Sequence, residues 1–375
     1  MSGIAGIYYL DGRPVERTDV QRMVDSIAHR GPDGCGVWTD GSVGLGHRML
    51  WTTPESLHEK LPLSNKTGDL TITADARIDN RDELIPVLNF NGRPRETITD
   101  SELILTAYEK WGDKCPEKLL GDFSFAIWDK RKQTVFCARD HMGVKPFYYY
   151  HSDNVFVFAS EIKALLSLSE VPRYLNEVKV ADYLMSTLED KTNTFYKKIF
   201  RLPPAHLKTA DNKRIPVQPY WSLDPLRELK LSSDEEYAEA FRNLFKKSVH
   251  CRLRSAFPIG SMLSGGLDSS SIVCMARHLL SQNGGGKLHT FSAVFDDVPE
   301  CDERQFINTV LIQGGLEPHY IQADRISPLV DLDHVFYHQD EPFYAPNLFI
   351  DWRLCGAAQK HGIRVLLDGT DGDSC

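Results

Sequence analysis

The chain has 375 residues, more than one hydrophobic core usually supports, so its length favours two domains or three. Its 42% hydrophobic and 25% charged residues are typical of soluble globular proteins. The net charge of −9 argues against a general affinity for nucleic acid, and no apolar run approaches the roughly 20 residues of a membrane-spanning helix.

Eight cysteines are scattered along the chain without a Cys-x-x-Cys pair, which argues against a zinc site and against a disulfide framework. The N-terminus lacks the basic segment and the cleavage site of a signal peptide. These features predict a cytoplasmic protein with reduced, isolated thiols.

The first half of the chain carries short segments of alternating hydrophobicity, a pattern that predicts an α+β domain with much antiparallel sheet. The predicted strands cover residues 1–10, 43–47, 70–74, 123–128, 134–139, 147–150 and 155–160. The predicted helices cover residues 18–28, 101–111 and 162–167.

A cluster of prolines between residues 203 and 225 marks a change in the composition of the sequence. Residues 232–235, Ser-Ser-Asp-Glu, then have the hydroxyl and acidic side chains of a helix N-terminus. We therefore predict a first domain over residues 1–215, a linker over 216–233 and a second domain over 234–375.

The second domain alternates predicted strands with predicted helices. The strands cover residues 257–263, 288–295 and 365–367, and the helices cover residues 269–280 and 303–313. This order predicts a parallel, doubly wound sheet. The sequence ends only eight residues after the last of these strands, so we expect the domain to be incomplete.

Residues 263–270, Leu-Ser-Gly-Gly-Leu-Asp-Ser-Ser, follow an apolar strand and open a helix. Glycines allow a ligand to approach the backbone, and free N–H groups with hydroxyls suit an anion. Asp268 would repel a bare phosphate, so the loop implies a bridging Mg²⁺. The lysine of a Walker loop is missing. A serine- and glycine-rich turn that only caps the helix is the alternative.

An acidic segment over residues 368–373 follows the last predicted strand. It lies at the carboxyl end of a parallel strand, where such sheets bind ligands, and it offers a second set of carboxylates. The alternative interpretation is an acidic surface turn.

The loop at residues 264–269 resembles the Ser-Gly-Gly-x-Asp-Ser pyrophosphate loop of ATP pyrophosphatases, which adenylate a carboxylate and release pyrophosphate. The resemblance implies Mg²⁺ bound by Asp268 and Asp373. In the family's Ser-Gly-Glu-Gly-x-Asp segment, Asp368 replaces the serine and Thr370 the glutamate. The ATP-binding residues that it implies are Leu263, Ser264, Gly265, Gly266, Asp268, Ser269, Ser270, Ala293, Asp368 and Gly369.

About the first 220 residues resemble a class II glutamine amidotransferase domain, which has the αββα N-terminal-nucleophile fold. The passages that carry this resemblance are residues 2–7, 29–33, 46–48, 121–126, 139–146 and 159–165. Followed by the pyrophosphatase loop, this domain gives the architecture of the asparagine synthetase family. The implied second fold is the adenine nucleotide α-hydrolase-like α/β domain.

Three replacements in the amidotransferase pocket predict that this domain is inactive. Ser2 stands where active members have a nucleophilic cysteine, and a hydroxyl is a weaker nucleophile than a thiol. Asp75 replaces the asparagine that donates to the oxyanion, and loss of one such donor typically costs about 10²–10³ in rate. Arg77 replaces the glutamate that holds the substrate's ammonium. Arg48 and Asp100 still match glutamine-binding positions.

The resemblance implies an AMP-forming amide-bond synthetase with ATP and Mg²⁺ as cofactors. Residues 74–80 and 366–369 are most similar to the lasso-peptide macrolactam cyclase branch, which favours a peptide substrate, a precursor peptide and its processing protease as partners. Asparagine synthesis with glutamine or free ammonia, an N-terminal serine amidohydrolase and a non-catalytic peptide-binding protein stay as alternatives. The oligomeric state is open.

Overall fold

A computed structural model of the protein describes residues 1–187, 189–211, 216–282, 286–343 and 348–370. The chain forms two compact units. The first contains residues 1–51 and 55–225, and the second contains residues 52–54 and everything from 226 onward. The break after Pro225 falls within residues 216–233. Among the described residues, no helix combines the length and the apolar character needed to cross a membrane.

In its described residues, the first unit has two antiparallel sheets and five α-helices. Its strands are β1 (Gly3–Tyr9), β2 (Gly34–Asp40), β3 (Val43–Met49), β4 (Leu63–Ser64), β5 (Leu70–Ile78), β6 (Gly121–Asp129), β7 (Thr134–Arg139), β8 (Tyr148–His151), β9 (Val155–Ala159), β10 (Ile199–Arg201), β11 (His206–Ala210) and β12 (Gln218–Pro219). Its helices are α1 (Arg17–Ser26), α2 (Arg81–Leu88), α3 (Asp100–Trp111), α4 (Ile162–Leu166) and α5 (Glu177–Leu184).

The two sheets pack face to face with helices outside them. One sheet has the strand order β10-β8-β9-β1-β3-β2 and the other has β12-β11-β7-β6-β5-β4. Strand β1 shows the period of two that this packing needs. Its Ile4 and Tyr8 pack among residues of the second sheet, whereas Ala5 and Ile7 pack with helices α1 and α4. Helices α2 and α3 cover the second sheet's outer face. The predicted αββα fold is therefore confirmed.

The second unit is a four-stranded parallel sheet with helices on both faces. Its elements are α6 (Asp234–Arg252), β13 (Ile259–Met262), α7 (Leu267–Gln282), β14 (Leu288–Val294), α8 (Arg304–Leu311), β15 (Leu316–Gln322), α9 (Leu332–Gln339), α10 (Leu348–Lys360) and β16 (Val365–Leu367). Helices α6, α7 and α8 pack on one face, and α10 packs on the other. This confirms the predicted doubly wound α/β domain.

Candidate functional site

The strand order of the second unit is β15-β14-β13-β16. Strands β14 and β15 are added on one side of β13 and β16 is added on the other, so the order of the sheet reverses between β13 and β16. Each strand pairs in parallel, with Ile259 opposite Val365 and Ser261 opposite Leu367. Open α/β sheets bind ligands at such a reversal, because the loops after the two strands diverge and leave a crevice at the carboxyl ends. Two segments singled out by the sequence follow these two strands: residues 263–270 follow β13, and residues 368–370, the described part of the acidic segment, follow β16.

The loop after β13 has the conformation of an anion cradle. Gly265 has φ +89°, and an added Cβ there would lie 2.8 Å from the Cβ of Phe306, so a larger residue is excluded. The Ser264 N–H donates to Ser269 Oγ at 3.2 Å, and the two hydroxyls lie 3.0 Å apart. These bonds fold the loop back on the first turn of α7, which begins at Leu267.

The loop after β16 lies directly against that turn. A Cβ on Gly369 would come within 2.8 Å of the Ser269 backbone nitrogen, so only glycine fits between them. Asp368 accepts from the Thr370 hydroxyl at 2.6 Å and from its N–H at 3.2 Å. The structure thus brings the two predicted segments together at one point.

A cavity of about 640 Å³ opens at this meeting point, a size within the usual range of small-molecule sites. The predicted residues that line it are Leu263, Ser264, Gly266, Asp268, Ser269, Ala293, Asp368 and Gly369. Gly265 and Ser270 belong to the same loop and first turn but do not line the cavity. Ala293 comes from β14, with Phe291 and Phe295 of the same segment beside it.

Helix α10 contributes a carboxylate that sequence reasoning missed. Asp351 lines the cavity together with Ile350 and Leu354. Burial raises the pKa of Asp351, and the nearby charge of Asp368 raises it further. The signal in the sequence is the i, i+4, i+8 spacing of Ile350, Leu354 and Ala358, which is the apolar face of α10.

Four acidic residues therefore line the cavity: Asp268, Glu303, Asp351 and Asp368. Carboxylate oxygens are the donors that Mg²⁺ prefers, and a divalent cation would offset the repulsion between Asp351 and Asp368. The donor set thus fits a magnesium ion. Asp373, the second predicted metal ligand, lies outside the described residues.

The predicted nucleophile of the first unit is enclosed. Ser2 is 8% exposed, and its hydroxyl accepts from the Leu50 N–H at 3.0 Å and lies 3.8 Å from Met49 Sδ. The Ser2 carbonyl accepts from Arg30 Nε at 2.9 Å. The hydroxyl therefore contacts a backbone N–H and a thioether.

Asp75 belongs to a buried network of charges around Ser2. Its carboxylate lies 2.9 Å from Lys145 Nζ and 3.5 Å from the Arg30 guanidinium. Burial alone would raise the pKa of Asp75, but Lys145 and Arg30 lower it. Arg30 also pairs with Glu161 at 2.9 Å. A negative charge held in this way cannot act as the donor that an oxyanion requires.

The remaining predicted glutamine-site residues have partners within the first unit. Arg48 donates to the Val24 carbonyl at 2.9 Å and pairs with Asp25 on α1. Asp100 pairs with Arg81. Arg77 lies in β5 with its Nε 3.8 Å from Asp79. The strand runs to Ile78, further than predicted, so Asp75 and Arg77 are strand residues.

Comparison with protein families gives one match for each unit. Residues 1–221 match the glutamine amidotransferase domain, and residues 240–375 match the asparagine synthase domain.

Three relatives illustrate the similarity along the chain. The Methanocaldococcus jannaschii protein provisionally named asparagine synthetase (glutamine-hydrolyzing) 2 is 32% identical, over 100% of this chain and 74% of its own length. Asparagine synthetase (glutamine-hydrolyzing) 3 of Bacillus subtilis is 30% identical, over 75% of this chain and 46% of its own length. The amidase chry2 of Gibberella zeae is 27% identical, over 95% of this chain and 54% of its own length. The chain thus spans about half the length of the latter two.

Among solved structures, the allosteric regulatory enzyme of purine biosynthesis aligns with a TM-score of 0.44 at 14% identity, over 98% of this chain and 89% of that one.

Proposed function

The chain belongs to the asparagine synthetase family, and from that premise we propose that it is an ATP-dependent carbon–nitrogen ligase that forms an amide bond and releases AMP and pyrophosphate. The observation that carries the proposal is the cavity at the β13–β16 reversal, which is lined by a glycine-rich loop, a helix N-terminus and four acidic residues. Such a site suits a nucleotide triphosphate with its metal.

Each part of the cavity has a role in this reaction. The backbone N–H groups of the loop at 264–269 bind and orient the phosphates, and the strand segment at 291–295 lines the apolar side for the adenine. A substrate carboxylate oxygen bonds to the α-phosphorus as pyrophosphate leaves. An amine nitrogen then attacks the acyl carbon, AMP leaves, and the nitrogen loses a proton to solvent or to a base.

Asp268 and the neighbouring carboxylates would hold Mg²⁺, which supplies positive charge against the phosphates. Asp268 opens α7 within the loop itself, so its carboxylate and the N–H groups of the first turn serve the same ligand. Asp351 of α10 and Asp368, which follows β16, are the neighbouring carboxylates on the other side of the cavity.

We further propose that the first unit does not release ammonia from glutamine. The enclosed Ser2 hydroxyl and the ion-paired Asp75 support this proposal. The amine would then be free ammonia or a group of the substrate itself. A substrate amine would close a ring, as in lasso-peptide macrolactam formation, and this is the finer function that we favour. Asparagine formation from aspartate and ammonia is the second candidate, which the names of two relatives favour.

AMP formation by the full-length protein tests the ligase. We expect Asp268→Asn to lower AMP and pyrophosphate release at least 100-fold, because the loop carboxylate is needed for the metal. Asp333→Asn, at an exposed position of α9, is the matched control and should keep the wild-type rate. Wild-type turnover in Asp268→Asn would remove the proposal.

Two substrate pairs separate the finer functions. Aspartate with ammonia should give asparagine if the second candidate holds. A linear peptide with a free amine and a carboxylate should give a product lighter by one water if ring closure holds.

Ammonia release from glutamine tests the first unit: we expect none above background, and no change in Ser2→Ala. Release that Ser2→Ala abolishes would contradict the proposed inactivity.

A further inference from the structure

A second group of side chains lies at the other end of the parallel sheet, on the face that α10 covers. His289 is the second residue of β14, and Glu317 and His319 lie in the first half of β15. The parallel register sets His289 opposite Glu317 and Phe291 opposite His319. Residues two apart on a strand share a face, so the register brings the two histidines and the glutamate to one place.

Donor atoms of these three side chains all lie within 4.8 Å of one another. His289 Nδ1 and His319 Nε2 are 3.0 Å apart. Two imidazole nitrogens on one tetrahedral zinc ion lie about 3.3 Å apart, given Zn–N distances of about 2.0–2.1 Å. The pair is therefore within a few tenths of an ångström of the spacing that a shared ion requires.

A third imidazole borders the group. The ring of His361 lies 4.0 Å from the ring of His319, centroid to centroid. His361 Nδ1 is 2.9 Å from the Ala357 carbonyl oxygen, which can only accept, so this nitrogen carries the proton. His361 Nε2 is then the lone-pair nitrogen. A backbone carbonyl that fixes the tautomer in this way is the usual arrangement around a metal-ligating histidine.

The surroundings of the group also suit a cation. The ring of His319 stacks on Phe291 at 4.8 Å, centroid to centroid, which holds the imidazole in place. Glu317 supplies a negative charge and is exposed, so an ion can reach the group from solvent.

We propose that His289, Glu317 and His319, bordered by His361, form a binding site for Zn²⁺ that ties β14 to β15. Imidazole nitrogens with one carboxylate select a transition metal such as zinc over Mg²⁺. The site uses other residues than the nucleotide cavity but lies next to it, because Phe291, whose ring stacks on His319, also lines that cavity. Ala293 lines the cavity four residues beyond His289 along β14, a distance of roughly 13 Å at 3.3 Å per residue.

Cobalt substitution in the metal-stripped, full-length protein tests the site. We expect one equivalent of Co²⁺ to give the visible absorption of a nitrogen-ligated tetrahedral ion, and one equivalent of Zn²⁺ to remove it. His289→Ala and His319→Ala should abolish the absorption. His278→Ala, at an exposed histidine of α7, is the matched control and should leave it unchanged.

Glu317→Gln keeps the test valid if a histidine variant fails to fold, because this side chain is exposed. We expect it to weaken Co²⁺ binding at least tenfold with an unchanged circular dichroism spectrum. The melting temperature should rise with Zn²⁺ in the wild type and in His278→Ala, but not in His319→Ala. Wild-type Co²⁺ spectra in both His289→Ala and His319→Ala, or no Co²⁺ spectrum in the wild type, would overturn the proposal.

Discussion

Gly369 has no room for a side chain, because a Cβ there would lie 2.8 Å from Ser269 N and 3.1 Å from the Asp268 carbonyl carbon. Gly369→Ala must push the loop away from α7. We expect ATP affinity to fall at least tenfold, measured by calorimetric titration with ATP and Mg²⁺. Gly356→Ala on α10 is the control, since its added methyl has no described atom within 4 Å. Equal affinities in both variants would contradict this account of the loop.

Glu161 makes the first unit sensitive to acid. Burial alone would raise its pKa, but the bond to His29 and the charges of Arg30 and Lys163 lower it from 4.5 to about 2. A lowered carboxyl pKa stabilises the fold fully above pH 4.5, and that stability is lost as the pH falls through about 2. The shift corresponds to roughly 3 kcal/mol at pH 7.

Glu161→Gln should therefore lower the free energy of unfolding by about 2–3 kcal/mol at pH 7 and flatten its decline between pH 4.5 and 2. Urea unfolding followed by tryptophan fluorescence measures both effects. Glu117→Gln, at an exposed carboxylate of the same unit, should match the wild type at every pH. If the free energy of unfolding of Glu161→Gln declined with pH in parallel with that of the wild type, the network around Arg30 would not be the cause of the acid sensitivity.

At the scale of single elements, α3 owes its start to a capping box. The Thr99 hydroxyl accepts from the Glu102 N–H at 3.2 Å, and the Thr99 N–H donates to the Glu102 carboxylate at 3.0 Å. Thr99→Ala should cost about 1 kcal/mol in urea unfolding. Thr106→Ala, within the same helix, should cost nothing, because alanine is the better helix former. A larger loss in Thr106→Ala than in Thr99→Ala would contradict this role.

The sequence predicted the strands that are almost wholly buried and missed elements that have few buried residues. Strands β1, β5, β6, β7 and β9 are almost wholly buried, and their apolar runs were found. Strand β15 was missed because it is an edge strand, carries Pro318 and buries no residue fully. Helix α5 was missed because its one fully buried residue is Lys179.

The candidate site follows the same rule. Its two loops were predicted because each follows a recognisable strand, and local motif chemistry is visible in sequence. Asp351 lines the cavity from α10, and Glu303 lines it from the residue just before α8. Only the packing of these two helices brings them there. The parallel strand order predicts that the two loops are neighbours. It does not predict that Gly369 packs directly against the backbone of Ser269.

At the scale of the whole molecule, a solvent-exposed segment without helix or strand lies at the boundary between the two units. Residues 222–230 are all exposed and lie outside regular structure, which are the features of a protease-sensitive linker. Limited trypsin digestion should cut first after Arg227 or Lys230 and leave two resistant fragments, identified by mass spectrometry. The double variant Arg227→Gln, Lys230→Gln should slow this cut. Early cleavage within either unit, with the segment intact, would contradict the boundary.

The pairing of Asp75 with Lys145 and Arg30 has a consequence for how this protein can change. An asparagine at position 75 would supply an amide donor, yet it would remove the carboxylate that pairs with buried Lys145 and would leave Arg30 with Glu161 alone. If the first unit releases no ammonia, as we propose, this single change would therefore lower the stability of the fold. A second substitution at Lys145 would have to accompany it.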